Sequence, residues 1–274
     1  MVNVVSLAAL ALATTIAVAL GDSIPAVSLG DSVPVVSLNA SMRAVSLSAS
    51  IRAEVAPMPN GAWPTSQGDV YFEEPYTVKK GEVYDGEMKT YQLSNVKCRG
   101  DTESGWQNAV FVVEAGGTLK NAIIGTDQME GSHCDDGDCL YENVWWDDVC
   151  EDALSIKGGS ERSVTRVIGG GARSASDKVV QHNGYGSLFI EGFYVENYSQ
   201  FYRSCGNCGN KDVKISIKNL FAVDGRVRIV TQNKGDEVTI KNVKIKGNKV
   251  EVCSVGTGAS RTPCRYSPSN VTYV

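Results

Sequence analysis

Ten acids fall within the 26 residues from Asp127 to Asp152, and no lysine or arginine lies among them. So many carboxylates repel one another, and a hard cation relieves that repulsion. Ca²⁺ accepts about six to eight oxygen ligands and suits carboxylates brought in from separate segments. Glu130 and Glu151 stand 21 residues apart with Asp152 directly after, which makes these three the candidate metal ligands. A solvated acidic face explains the run equally well. The EF-hand pattern is absent, so any such site must be assembled by the fold. Downstream the sign changes. Lys157, Arg173, Lys178 and Arg203 are the cations of interest, with steps of 21 from Lys157 to Lys178 and 25 from Lys178 to Arg203. Taken singly, each is an ordinary surface charge. Their weight comes from the spacing they share with the acids.

That spacing needs an architecture that brings residues 20-odd positions apart side by side. Short β-rich runs recur through the chain, among them 118–125, 139–146, 163–168, 187–195, 213–221 and 238–245. Taking Asn121, Asn143, Arg166, Gly192, Asn219 and Asn242 as equivalent gives steps of 22, 23, 26, 27 and 23. Apolar and polar residues alternate inside each run, which is the strand period. Sandwich strands usually return every ~8–12 residues through hairpin turns. The longer step predicts an all-β chain wound as a right-handed parallel β-helix, one coil per repeat. Such a winding faces Val, Ile, Leu and Phe inward and carries a ladder of functional groups outside.

Composition narrows the classes. The 274 residues carry 26 Lys+Arg against 31 Asp+Glu, a net charge of -5, so nucleic-acid binding is disfavoured. Only two histidines, His133 and His182, are present, which restricts His-dependent triads and His-rich metal sites. Residues 4–20 are almost wholly apolar and end in a small-residue pattern. This predicts a secretory signal peptide over 1–21 and no membrane association once it is removed. A nine-residue repeat beginning at Ser23, Ser32 and Ser41 predicts a spacer or propeptide over 22–65, partly disordered. The β-helix is then expected over 66–274, as a monomer.

Eight cysteines behind a signal peptide predict disulfides in an oxidising compartment. Short separations favour Cys134 with Cys139 and Cys253 with Cys264. Cys205-Gly-Asn-Cys208 reads as a structural bridge, because no second CxxC exists and the histidines are distant.

Four ordered motifs carry a family resemblance: Glu130-Gly-Ser-His-Cys134, the stretch Gly137 to Ala153, Asp177-Lys-Val-Val-Gln-His-Asn183, and Tyr202-Arg-Ser-Cys-Gly-Asn-Cys208. Over roughly Trp63 to Val250 the chain resembles pectate lyases of polysaccharide lyase family 3. The resemblance implies a secreted, extracellular enzyme acting on the polygalacturonate of plant cell walls by Ca²⁺-dependent β-elimination. It places the calcium ligands on Glu130, Glu151 and Asp152, the base on Lys178, and the conserved arginine on Arg203. Lys157 matches a further basic position, and Arg173 and Gln200 join it as substrate-binding candidates. Gln200 stands where the family has another lysine. Arg203, Lys157 and the metal are expected to lower the Lys178 pKa by like-charge repulsion. The alternatives are a β-helix hydrolase of polygalacturonase type, and a pectin-binding homologue impaired in turnover, which Gln200 motivates.

Overall fold

The computed structural model describes residues 56–100, 102–256 and 262–274. The expected signal peptide and almost all of the nonapeptide region lie outside the described residues.

The described chain is a parallel β-solenoid. One face is a sheet whose parallel strands run in spatial order from Tyr76–Val78 through Ala109–Val113, Glu130–Cys134, Asp152–Ile156, Lys178–His182, Gln200–Ser204 and Arg228–Gln232 to Glu251–Val255. A short strand, Thr262–Pro263, closes the far edge antiparallel to Glu251–Val255. The other faces belong to a single bent sheet. Its long strands, such as Lys214–Val223 and Glu237–Lys246, run across both halves of the bend.

The bend explains the repeat. The ladder aligns Lys120 with Glu142 and Ala122 with Val144, so Asn121 sits level with Asn143. The same reasoning carries the column through Gly169 and Gly192 to Asn219 and Asn242. All six backbones are left-handed, with φ between 50° and 69°. Glycine adopts that conformation without a Cβ penalty, and asparagine is the other residue that tolerates it. Arg166 is therefore not the equivalent in this coil; it pairs with Leu140 and Phe189 within a strand. Asparagines next to one another also bond: Asn143 donates to Asn121 Oδ1 at 2.9 Å and Asn242 to Asn219 Oδ1 at 2.6 Å.

Inside, like stacks on like. Leu119, Tyr141, Val167, Ile190, Ile217 and Ile240 form one buried column in register. Each aliphatic side chain of the column contributes about 1.5–3 kcal/mol by leaving water. Residues ahead of Ser66 already pack on the solenoid: Asn219 Nδ2 donates to the Ala56 carbonyl at 2.6 Å. Trp63 meets Trp145 edge-on, with ring centroids 4.9 Å apart.

All eight cysteines are paired. The Cys134–Cys139, Cys253–Cys264 and Cys205–Cys208 bridges are those expected. The fourth, Cys98–Cys150, spans 52 residues and has no local signal.

Candidate active site

The face that ends at Thr262–Pro263 carries the site. Its strands repeat a four-residue unit in which two polar residues flank two that turn inward. The units are Asp152-Ala-Leu-Ser155, Lys178-Val-Val-Gln181, Gln200-Phe-Tyr-Arg203 and Arg228-Ile-Val-Thr231. The inner pairs are buried in every coil. The outer residues, at i and i+3, share the outside: Ser155 Oγ donates to Asp152 Oδ2 at 3.1 Å, and Arg228 to Thr231 Oγ1 at 3.4 Å. Stacking then builds two outer columns. Asp152, Lys178, Gln200, Arg228 and Glu251 follow one another in the first; Ser155, Gln181, Arg203, Thr231 and Ser254 follow in the second.

Glu130, Glu151 and Asp152 converge. Each offers a carboxylate oxygen, and the three atoms lie within 4.8 Å of one another. The register of Ser132 with Leu154 sets Glu130 level with Asp152, and Glu151 enters from the residue before. All three are almost fully buried, at 2%, 3% and 3% exposure. Burial comes first among the causes that push the Glu130 carboxyl up to about 7, and the neighbouring Asp152 charge adds to it. Burial likewise raises Glu151, to about 8, and Asp152, each with help from its acidic neighbours. Glu130 Oε2 and Asp152 Oδ1 are buried and accept no well-formed hydrogen bond, although His133 Nε2 and Lys178 Nζ each stand 3.4 Å away. Buried carboxylates in that state call for a cation. The donor set is all oxygen, which suits a hard divalent ion rather than zinc or copper.

Lys178 stands beside the cluster. Its Nζ lies 3.4 Å from Asp152 Oδ1 and 3.9 Å from Glu151 Oε1, and it is also paired with Asp177. Burial lowers its pKa, but Asp152, Asp177 and Glu151 together outweigh this and hold the ammonium above its ordinary range. The direction is opposite to the one expected with the metal in place, because three carboxylates stand against the amine. Lys157 and Arg203 line the same cleft, a space of about 490 Å³. Sequence reasoning passed over Ser104, Gln181 and Asn183 on its walls. Ser104 Oγ donates to Glu130 Oε1 at 3.2 Å.

Comparison with known proteins meets this geometry. Residues 60–262 match the pectate lyase family. The chain belongs to that family. The probable pectate lyase D of Aspergillus fumigatus is 46% identical over 213 residues, covering 76% of this chain and 86% of its own length. Pectate lyase E of Emericella nidulans is 44% identical over 213 residues, covering 77% and 82%. Among solved structures, the catalytic domain of pectate lyase PelI from Erwinia chrysanthemi matches with a TM-score of 0.57 at 27% identity, over 76% of this chain and 98% of that one. PelI in complex with tetragalacturonic acid matches at 0.54 and 26% identity, over 76% and 71%.

Two substrate-binding candidates of this pectate lyase family member are held by other partners. Arg173 sits on Gly171–Arg173, in the bent sheet. Its guanidinium grips Asp147 through two bonds of 2.5 and 3.0 Å and lies 4.2 Å above the Trp63 ring. Its charge is thus committed to the packing of the N-terminal segment. Gln200 follows Lys178 in the first column, and its amide oxygen accepts from Thr231 at 2.8 Å.

Proposed function

We propose that this chain is a secreted pectate lyase that cleaves polygalacturonate by β-elimination with Ca²⁺. One observation carries the reading: a three-carboxylate cluster, a buried lysine and an arginine share one cleft. Glu130, Glu151 and Asp152 are the proposed ligands, and Ca²⁺ held there would bind a galacturonate carboxylate and stabilise the charge that develops beside it. Lys178 is the proposed base. Its neutral Nζ takes the proton from C5 of the sugar, the electron pair forms the C4–C5 double bond, and the C4–O bond breaks without water. Arg203 pairs with a substrate carboxylate through its planar guanidinium, and Lys157 adds charge on the same wall. Only the unprotonated amine can act, and the surrounding carboxylates favour the protonated one. The rate is therefore expected to climb toward alkaline pH.

A hydrolase requires two carboxyl groups set apart across the glycosidic bond, roughly 5–9.5 Å depending on mechanism. Here three carboxylate oxygens gather within 4.8 Å of one another, as ligands of one cation would, and a lysine stands against them. The impaired-homologue reading leaned on Gln200, which pairs in register with Lys178 and whose amide oxygen is engaged by Thr231 at 2.8 Å. Secretion is supported by the apolar residues 4–20 and by eight paired cysteines. Among the described residues no helix is long and apolar enough to cross a membrane.

Ultraviolet absorbance on polygalacturonate tests the proposal. The protein with Ca²⁺ should accumulate unsaturated uronate, EDTA should stop it, and Lys178→Ala should lose at least ~100-fold in kcat. Reducing ends without absorbance would instead mean hydrolysis. A Lys178→Ala protein at full rate would remove the base.

A further inference from the structure

A second cavity, of about 270 Å³, adjoins the cleft and shares Glu103 and Ser104 with it as a common wall. Ser104 is the residue bonded to Glu130, so the wall stands directly against the acidic cluster. Lys97 and Arg99 line this cavity, both exposed. Neither forms an ion pair among the described residues, unlike surface lysines such as Lys79 with Glu114 or Lys120 with Asp85. The nearby Asp127 carboxylate accepts from the Cys98 N–H at 3.0 Å. Two cations with no ion-pair partner among the described residues, in an acidic protein, mark a place for an anionic ligand.

Position says which anion. The Ala109–Val113 strand, which follows the loop bearing these cations, lies on one side of Glu130–Cys134; the Lys178 and Arg203 strands lie on the other. The loop itself is tied to the coils of the cluster, through Asp127 and Cys150, so cationic side chains stand beside the cluster here as well as on the Lys178 and Arg203 strands. A polyuronate carries a carboxylate on every sugar, so a chain with one carboxylate at the cluster presents others to each side. The cavity is also held in place. Lys97 and Arg99 flank Cys98, whose disulfide reaches Cys150, the residue before Glu151. Holding the cations at a fixed distance from the cluster reduces the ordering cost of binding.

We propose that this cavity is a distal subsite for the uronate polymer, in which Lys97 and Arg99 pair with the carboxylate of a sugar beyond the cleaved bond. The proposal rests on the lyase reading for its substrate. Lys97→Ala/Arg99→Ala should raise KM for long polygalacturonate about tenfold, leave kcat unchanged, and leave a galacturonate trimer unaffected. Lys97→Arg/Arg99→Lys should restore the long-chain KM. The Ca²⁺-induced thermal shift should match that of the parent. An unchanged long-chain KM overturns the subsite, and so does an equal rise for trimer and polymer, which would mean damage to the cleft itself. Calorimetric binding of polygalacturonate to both proteins separates the two proposals. If the parent makes no unsaturated product, the lyase reading fails, while a polymer affinity lower in the variant still supports the subsite and an equal affinity overturns it.

Discussion

The acidic cluster makes the metal-free protein lose stability as pH rises. Glu151 has an ordinary carboxyl value of 4.5, which burial and Glu130 push up to about 8 in the folded chain. A group raised on folding stabilises fully below its unfolded value, and that contribution vanishes as pH climbs through the folded one. Between pH 6.5 and 8.5 the loss from Glu151 alone is about 2 kcal/mol. Glu130, raised to about 7, acts in the same direction at the lower end of the window. His133 and His182, both lowered to about 4 in the fold, oppose this weakly, because unfolded imidazoles are still half-protonated at pH 6.5 and each restores about 0.4 kcal/mol by pH 8.5. For a domain of this size the loss lowers Tm by roughly 4–8 °C. The assay is thermal unfolding of EDTA-treated protein at both pH values, repeated with excess Ca²⁺ and with Glu130→Gln/Glu151→Gln/Asp152→Asn. The stripped protein should melt lower at pH 8.5, Ca²⁺ should restore it chiefly there, and the triple variant should show no such slope. Equal melting of the stripped protein at both pH values would refute the reasoning, as would a Ca²⁺ shift of the same size at each.

Gly170→Ala should destabilise by at least ~3 kcal/mol, because φ is 82° and an added Cβ would meet the Val144 carbonyl oxygen at 2.0 Å; chemical denaturation checks it. Removing the 52-residue crosslink with Cys98→Ala/Cys150→Ala should cost about 4 kcal/mol by the same measurement, and a loss under 1 kcal/mol would count against the loop-closure argument. His182, buried against the Tyr202 hydroxyl at 3.1 Å, is lowered to about 4, chiefly by burial. Its folded value is depressed, so its contribution is present above pH 6.5 and lost as pH falls toward 4. Its imidazole resonance should not titrate above pH 5; a midpoint near 6.5 would contradict the burial.

Much of the fold was legible because a solenoid repeats locally. The 20-odd-residue step in strands and the asparagines at the bend both follow from one coil resembling the next. The misplacement of Arg166 has a physical cause. The bend requires a left-handed backbone rather than a side chain, and Gly169 supplies it from three residues further on. The carboxylate cluster was visible as an acidic run, but the alternation rule hid how its strands work. The polar–apolar–apolar–polar unit around Asp152, Lys178 and Arg203 breaks strict alternation, and it stands openly in the sequence. Other features are long-range and have no local trace. The partner of Cys98 depends on the whole stack, and Arg173 was drawn to Asp147 and Trp63 by packing that its spacing does not encode. The sign of the Lys178 shift needed distances, since burial and attraction from three nearby carboxylates act on the amine in opposite directions.

The antiparallel strap at Thr262–Pro263 reaches beyond its own two residues. A stack of parallel coils ends in a row of unpaired peptide groups, and any second molecule with the same edge could continue the ladder indefinitely. Here Pro263 offers no amide proton on that rim, and the Cys253–Cys264 bridge ties its neighbour down. That end of the face is thus partly blunted against continuation, at Ser254 and Val255, by a strap tied down by a bond that an oxidising environment maintains.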